Sequence, residues 1–234
     1  YLTTGNKRIT KDTVVIISSV SGNTKEVVDA IKKIKNEVGA TVISFVDAKE
    51  AILLDLGDYK ISYPMNEQLK FFMVADRFMF NNGELEDYDD MYAEFDKYLA
   101  EDLVEVEKKA EPFAIEFAKK HWNDEMHYFV GAGNQWGATY SYAMCYWEEQ
   151  LWLKTKSITS NEFFHGMFEI VTKETPVTIY IGEDAQRPLS ERVANFIPRI
   201  CANYTIIDTK DYELKGISEK YRKHLSHHVM HAVN

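Results

Sequence analysis

Short apolar runs alternate with amphipathic stretches along this chain, and the alternation predicts a strand–helix–strand order. "TVVIIS" at residues 13–18 is β-branched and bounded by polar residues, which reads as a buried parallel strand. Residues 25–38 place Val27, Val28, Ile31, Ile34 and Val38 at helical spacing and stop at Gly39. "TVISFV" at 41–46 is the next strand and "YKISY" at 59–63 another, which completes a βαβ unit. From about 66 to 120 the character changes to acidic, amphipathic helix. The polar run "NNGELEDYDD" at 81–90 interrupts it and reads as a solvated loop. The strand pattern then returns. "MHYFVGAG" at 126–133 enters a glycine turn and precedes an apolar helix over about 136–152. "VTIYI" at 177–181 and "YTIID" at 204–208 flank a helix at 190–200. The prediction is an α/β chain of two doubly wound parallel-sheet units, residues 1–65 and 123–234, with a helical connector at 66–122 and the pattern of an internal duplication.

Composition changes this picture little. The 234 residues, 45% hydrophobic and 13% aromatic, suffice for a sizeable core in one large domain or two small ones. No apolar run reaches the roughly 18 residues of a membrane span, and the opening "YLTTGNKRITKD" lacks the apolar core of a signal peptide. Two cysteines, Cys145 and Cys201, without CxxC or metal-ligand spacing, predict no disulfide framework and fit a reducing cytoplasm. The net charge of −10 argues against nucleic acid as a partner. A small anion remains compatible with it, because backbone dipoles act locally.

Candidate chemistry gathers at the turns. "SSVSGNTKE" at 18–26 follows a strand and opens a helix, where unpaired N–H groups and the helix dipole attract an anion. Ser19, Ser21 and Thr24 add three hydroxyls around one oxyanion, and Gly22 permits a close backbone approach. The lysine of a phosphate-binding GK[ST] loop is absent, so a simple phosphoester fits better than a nucleotide. Helix capping alone is the competing explanation, and it needs fewer hydroxyls. "GAGNQWGA" at 131–138 is a second glycine turn, a weak motif that departs from the dinucleotide GxGxxG. In "CYWEEQLW" at 145–152, Glu148 or Glu149 is a carboxylate among aromatics, partly desolvated and suited to proton transfer; the pattern does not choose between them. His165 lies in "TSNEFFHGMFEI" at 159–170, either as a core histidine bonded to a carbonyl or as a working group.

Taken together, these segments resemble a known family. "IISSVSGNTKEVVDAI" resembles the phosphosugar-binding motif of the SIS (sugar isomerase) domain, and "FVGAGNQWGATYSYA" the opening of a second such domain. "SNEFFHGMFEI" is similar to the [ST]-x-E-x-x-HG-[PM] segment of double-SIS enzymes related to the isomerase half of glucosamine-6-phosphate synthase. Its phenylalanine pair is similar to the fructosamine-6-phosphate deglycase branch, and the resemblance spans nearly the whole chain.

That resemblance implies two SIS-type (flavodoxin-like) subdomains, the first incomplete at its N-terminus and the second lacking the family's closing helix and tail, so that the chain looks like part of a longer protein. It implies a phosphate cradle at Ser19, Ser21 and Thr24, with Gly22, Asn134 and Glu162 as further candidate substrate contacts. In this family the catalytic glutamate stands sixteen positions before the HG histidine, which selects Glu149; His165 becomes the ring-opening or acid–base histidine, acting in related dimers near a neighbouring subunit's site. The implied protein is a cytoplasmic homodimer or higher homo-oligomer that takes a sugar phosphate and uses no metal or cofactor, with no nucleic-acid or membrane partner. Phe164 stands where the glucosamine synthase has lysine, and no glutaminase domain is present. The implied activity is therefore deglycation of a 6-phosphofructosamine such as fructoselysine 6-phosphate, with aldose–ketose isomerisation and non-catalytic sugar-phosphate sensing as the alternatives.

Overall fold

The computed structural model describes residues 5–63 and 67–234. Contacts divide the chain into two units, Tyr1–Tyr88 and Asp89–Asn234. The division falls inside the predicted connector, whose first residue, 66, lies outside the described residues.

In the first unit β1 (Val14–Ser19) leads through α1 (Lys25–Lys33) to β2 (Thr41–Val46), and α2 (Ile52–Leu56) leads to β3 (Tyr59–Ser62). The strands pair in parallel in the order β1–β2–β3, with Val15 opposite Val42 and Ile43 opposite Tyr59. The predicted strands and helix stand where the pattern puts them. α1 runs on through a π-helical turn, Ile34–Val38, and stops at Gly39, whose φ of 74° is the left-handed geometry that glycine supplies at a helix end. Val28 and Ile31 of α1 bury against Val42 and Val46 of β2 and Leu53 of α2. This apolar contact fixes the β1–α1 turn. α3 (Glu67–Asn81) follows.

The second unit takes in nearly all of α4 (Tyr88–Glu94), then α5 (Ala100–His121), β4 (His127–Gly131), α6 (Asn134–Ser141) and β5 (Thr155–Thr159). α7 (Met167–Ile170), β6 (Val177–Ile181), α8 (Arg187–Phe196), β7 (Tyr204–Asp208) and α9 (Glu219–Val233) complete it. All its strands are parallel in the order β5–β4–β6–β7, the doubly wound arrangement with a switch point beside β4. Every residue of β6 is buried, as a near-continuous apolar run in a two-sided parallel strand should be. Val130, Phe163, Ile179 and Val193 belong to the core on one face of this sheet.

The predicted helix at 136–152 is shorter: α6 passes into a π-helical turn, Tyr142–Glu148, and Trp152 takes a positive φ of 59°. The helix predicted at 190–200 begins earlier, at Arg187, with Pro188 in its first turn, where the missing N–H costs nothing. Carboxylates from α4 and α5 hold the entry to α9. Glu94 accepts the Ser218 N–H at 2.7 Å, and Asp102 accepts those of Lys215 and Gly216. Among the described residues no helix is long and apolar enough to cross a membrane.

Candidate functional site

The turn after β1 is built by its own side chains. Ser19 Oγ accepts the Gly22 N–H at 3.0 Å, Ser21 Oγ accepts the Asn23 N–H at 3.3 Å, and Asn23 Oδ1 accepts the Ile52 N–H at 3.1 Å. These bonds use hydroxyl lone pairs and leave each O–H able to donate. Thr24 is the N-cap residue of α1, yet its side chain makes no cap bond and stands exposed. Ordinary capping therefore does not account for the hydroxyls: the turn presents donors beside the positive end of a helix, an arrangement that accepts an oxyanion. Ser18 adds a buried Oγ with no protein partner among the described residues. Gly22 has a different reason to be glycine. Its φ is 64°, it is buried, and a Cβ there would collide with Val46 and Ala51. It shapes the turn against β2 and α2.

The second glycine turn, at the switch point after β4, is closed by the chain itself. Asp184 Oδ2 accepts the Asn134 N–H at 2.9 Å and its Oδ1 accepts the Gln186 N–H at 2.7 Å. Gln186 Oε1 accepts the Gly133 N–H at 3.2 Å. A Cβ on Gly133 would overlap the Asp184 carboxylate. The position a ligand anion occupies in such folds is thus filled by an internal anion. Asn134 is committed too: its Nδ2 donates to the Lys223 carbonyl at 3.0 Å, which ties α6 to α9.

Glu149 caps the π-helical turn that follows α6 and is exposed. Its neighbour Glu148 accepts the Thr155 hydroxyl at 2.6 Å, at the first residue of β5. Glu149 therefore lies near the amino-terminal end of β5. His165 lies beyond the carboxyl-terminal end of the same strand, closing the 3₁₀ turn Glu162–Phe164 with an N–H to the Glu162 carbonyl at 2.8 Å. The strand between them spans about 16 Å at 3.3 Å per residue. The two groups thus stand near opposite ends of β5. Glu149 is not desolvated by the neighbouring aromatics. Trp147 turns inward while Glu148, Glu149 and Gln150 face solvent, as helical spacing at the end of a surface helix allows. The phenylalanines beside His165 likewise turn away from it. Phe163 is buried in the core, and Phe164 packs on Phe196 beneath the Arg192 guanidinium. His165 and Glu162 are left exposed, with Asn161 donating to Glu162 at 3.3 Å.

Among the described residues one cluster has metal-ligand chemistry, His121, Asp124 and His127. Asp124 Oδ2 lies 2.7 Å from His121 Nδ1 and 2.9 Å from His127 Nδ1. These are hydrogen-bond lengths, shorter than the roughly 3.3 Å that separates ligand atoms around a tetrahedral zinc with bonds near 2.0 Å. Burial holds the His127 ring at about 4, so it is neutral; it donates from Nδ1 to Asp124 and accepts the Thr178 hydroxyl at Nε2, 2.8 Å away. The HxxDxxH spacing signals this cluster in the sequence, whereas the Asp184 closure has no local signal.

Comparison with known proteins places these features. Residues 2–76 match the SIS domain family. Over 94% of its length the chain is 29% identical to the fructosamine deglycase FrlB of Bacillus subtilis, covering 69% of that protein. A shorter match, 28% identical over 109 residues, covers 42% of the chain and 32% of the fructoselysine 6-phosphate deglycase of Escherichia coli O157:H7. A crystal structure from Bacillus subtilis, provisionally assigned as a phosphosugar isomerase, superposes on 99% of the chain and 73% of its own length with a TM-score of 0.82 at 25% identity. The SIS match takes in the whole β1–α1 turn with its three hydroxyls, and the superposition takes in both parallel sheets. Residues 2–76 are thus similar to a SIS domain, and along its length the chain has the fold of that crystal structure.

Proposed function

We propose that this chain belongs to a phosphosugar-processing enzyme that deglycates a 6-phosphofructosamine, releasing glucose 6-phosphate and a free amine. The observation that carries the reading is the similarity to a fructosamine deglycase over nearly the whole chain. The open β1–α1 turn supports it, since Ser19, Ser21 and Thr24 keep donors for a phosphate remote from the reacting carbon. Such an anchor supplies binding energy that orients the sugar. In this reading the ring opens and a base removes a proton from C1 to give an enolamine. The proton returns at C2, and the resulting Schiff base at C1 is hydrolysed. Glu149 shuttles the proton; His165 opens the ring or protonates the departing amine.

Both groups are exposed and lie near opposite ends of one strand, which favours a site completed by a second subunit. The reading therefore includes a homodimer in which Glu149 of one protomer meets His165 of the other and the second subunit excludes water. The test is incubation of the dimer with fructoselysine 6-phosphate and with unphosphorylated fructoselysine. Lysine release from the phosphorylated compound alone is the expected result. Equal turnover of both would remove the phosphate anchor from the account. Interconversion of glucose and fructose 6-phosphates without lysine release would make the protein an aldose–ketose isomerase instead.

A further inference from the structure

The second unit contains a cavity of about 340 Å³ that the proposed chemistry does not use. That volume lies in the range of small-ligand pockets, roughly 300–1,000 Å³. Its walls are aromatic. Phe117, Trp147 and Tyr180 are buried within it, and Tyr142 is half-buried beside them, whereas Phe113 and Trp122 stand more exposed, Trp122 at 70%. His121 lines the same cavity at 1% exposure.

Among the described residues three polar atoms of its lining are buried without a partner, Trp147 Nε1, Asn234 Nδ2 and His121 Nε2, and of these the first two are donors. The Tyr180 hydroxyl donates to Asn234 Oδ1 at 3.1 Å. His127 is bonded at both ring nitrogens, to Asp124 and Thr178. His121 is bonded at Nδ1 to Asp124, and its Nε2 is buried without a partner among the described residues. A carboxylate only accepts, so the proton of a neutral His121 sits on Nδ1 and Nε2 presents a lone pair. An unpaired acceptor buried in an aromatic cavity costs free energy that a donor from a ligand recovers. The Asp124 charge behind the ring strengthens that acceptor. The same charge disfavours an anionic ligand, and the apolar walls disfavour a strongly hydrated one.

From these features we propose that the cavity behind His121 binds a small neutral aromatic molecule carrying a hydroxyl or ring N–H, held by stacking and by a hydrogen bond to His121 Nε2. The cavity lining includes none of the cradle residues Ser19, Ser21 and Thr24, and neither Glu149 nor His165.

The test titrates phenol, anisole and toluene into the whole chain, with ligand-observed NMR as the readout. Phenol binds, and anisole, the same ring without an O–H, binds about tenfold more weakly, the usual penalty for leaving a buried polar group unpaired. Ala114→Trp fills the cavity from α5 and abolishes phenol binding while the circular dichroism spectrum stays unchanged. His121→Leu removes the preference for phenol over anisole. The wild-type comparison of phenol with anisole needs no variant to fold. Equal binding of the two, absence of binding by phenol, or phenol binding that survives Ala114→Trp would each overturn the proposal.

Discussion

Thr24 separates two roles that a threonine at a helix start ordinarily combines. It occupies the N-cap of α1 but spends no side-chain bond on the helix. Thr24→Ala should therefore spare the stability loss of about 1 kcal/mol typical of a lost cap. It should weaken sugar-phosphate binding by about 1–3 kcal/mol, the loss of a hydrogen bond to a charged group. Ser21→Ala should weaken binding likewise, but it also removes the turn bond from the Asn23 N–H. Urea unfolding and calorimetric titration read the two effects separately, and a variant that loses stability but keeps affinity would return Thr24 to plain capping. Glu149→Gln and His165→Asn should each lower kcat by about two to four orders of magnitude as single acid–base losses. On one reaction coordinate their double variant should be little worse. These roles were legible to different degrees. Turn hydroxyls and Gly22 are read from neighbouring residues, because turn chemistry is local. The exposure of Glu149 was not legible: which flank of a helix end meets solvent is decided by packing, and the aromatic neighbours point elsewhere.

At the scale of elements, the two strand-to-helix turns look alike in sequence and differ in what fills them. The β1–α1 turn is open, while the β4–α6 turn holds the carboxylate of Asp184, fifty residues on from Asn134. Asp184→Ala should strip two backbone N–H groups of a charged acceptor and destabilise the second unit by on the order of 2 kcal/mol. Asp184→Asn should retain part of that. Urea denaturation of the two variants measures it, and an unchanged midpoint for Asp184→Ala would show the closure to be incidental. Such pairings at long sequence separation leave no periodicity to read. Two elements escaped for related reasons. β5, "TKSIT", is a half-exposed edge strand with one strongly apolar residue, Ile158, too little for an apolar run. α9 buries Leu225, Val229 and Met230 together with His227 and His228, and so many polar letters on an inner face hide the helix stripe. The parallel strands 41–46, 177–181 and 204–208, by contrast, were readable to the residue, since each is an apolar, β-branched run, buried throughout at 177–181 and partly exposed at the sheet edge at 204–208.

For the whole molecule those buried histidines set a pH dependence. Burial holds His127 and His228 at about 4 and His227 at about 3, against 6.5 in the unfolded chain. Their contribution to stability is complete above pH 6.5, where both states are neutral. As pH falls from 6.5 toward 4 the unfolded chain takes up protons that the fold refuses, and stability is lost by on the order of 1 kcal/mol per pH unit for each ring. Unfolding at pH 7.5, 6 and 5 should show a flat region and then a decline, and constant stability down to pH 5 would contradict buried, neutral rings. Assembly carries its own prediction. In a two-fold dimer with shared sites, mixing inactive Glu149→Gln and His165→Asn protomers rebuilds one intact site per heterodimer, restoring about a quarter of wild-type activity after random exchange. Each homodimer alone stays inactive, and mixtures that remain inactive would place both residues in one protomer's site or outside catalysis. The most direct test of the central claim is the identity of the sugar product. Fructoselysine 6-phosphate carrying two deuterons at C1 and followed by NMR should give lysine and glucose 6-phosphate that keeps only one of them at C1, the trace of proton abstraction there. Release of lysine with fructose 6-phosphate, which needs no such abstraction, or no release of lysine at all, would contradict it.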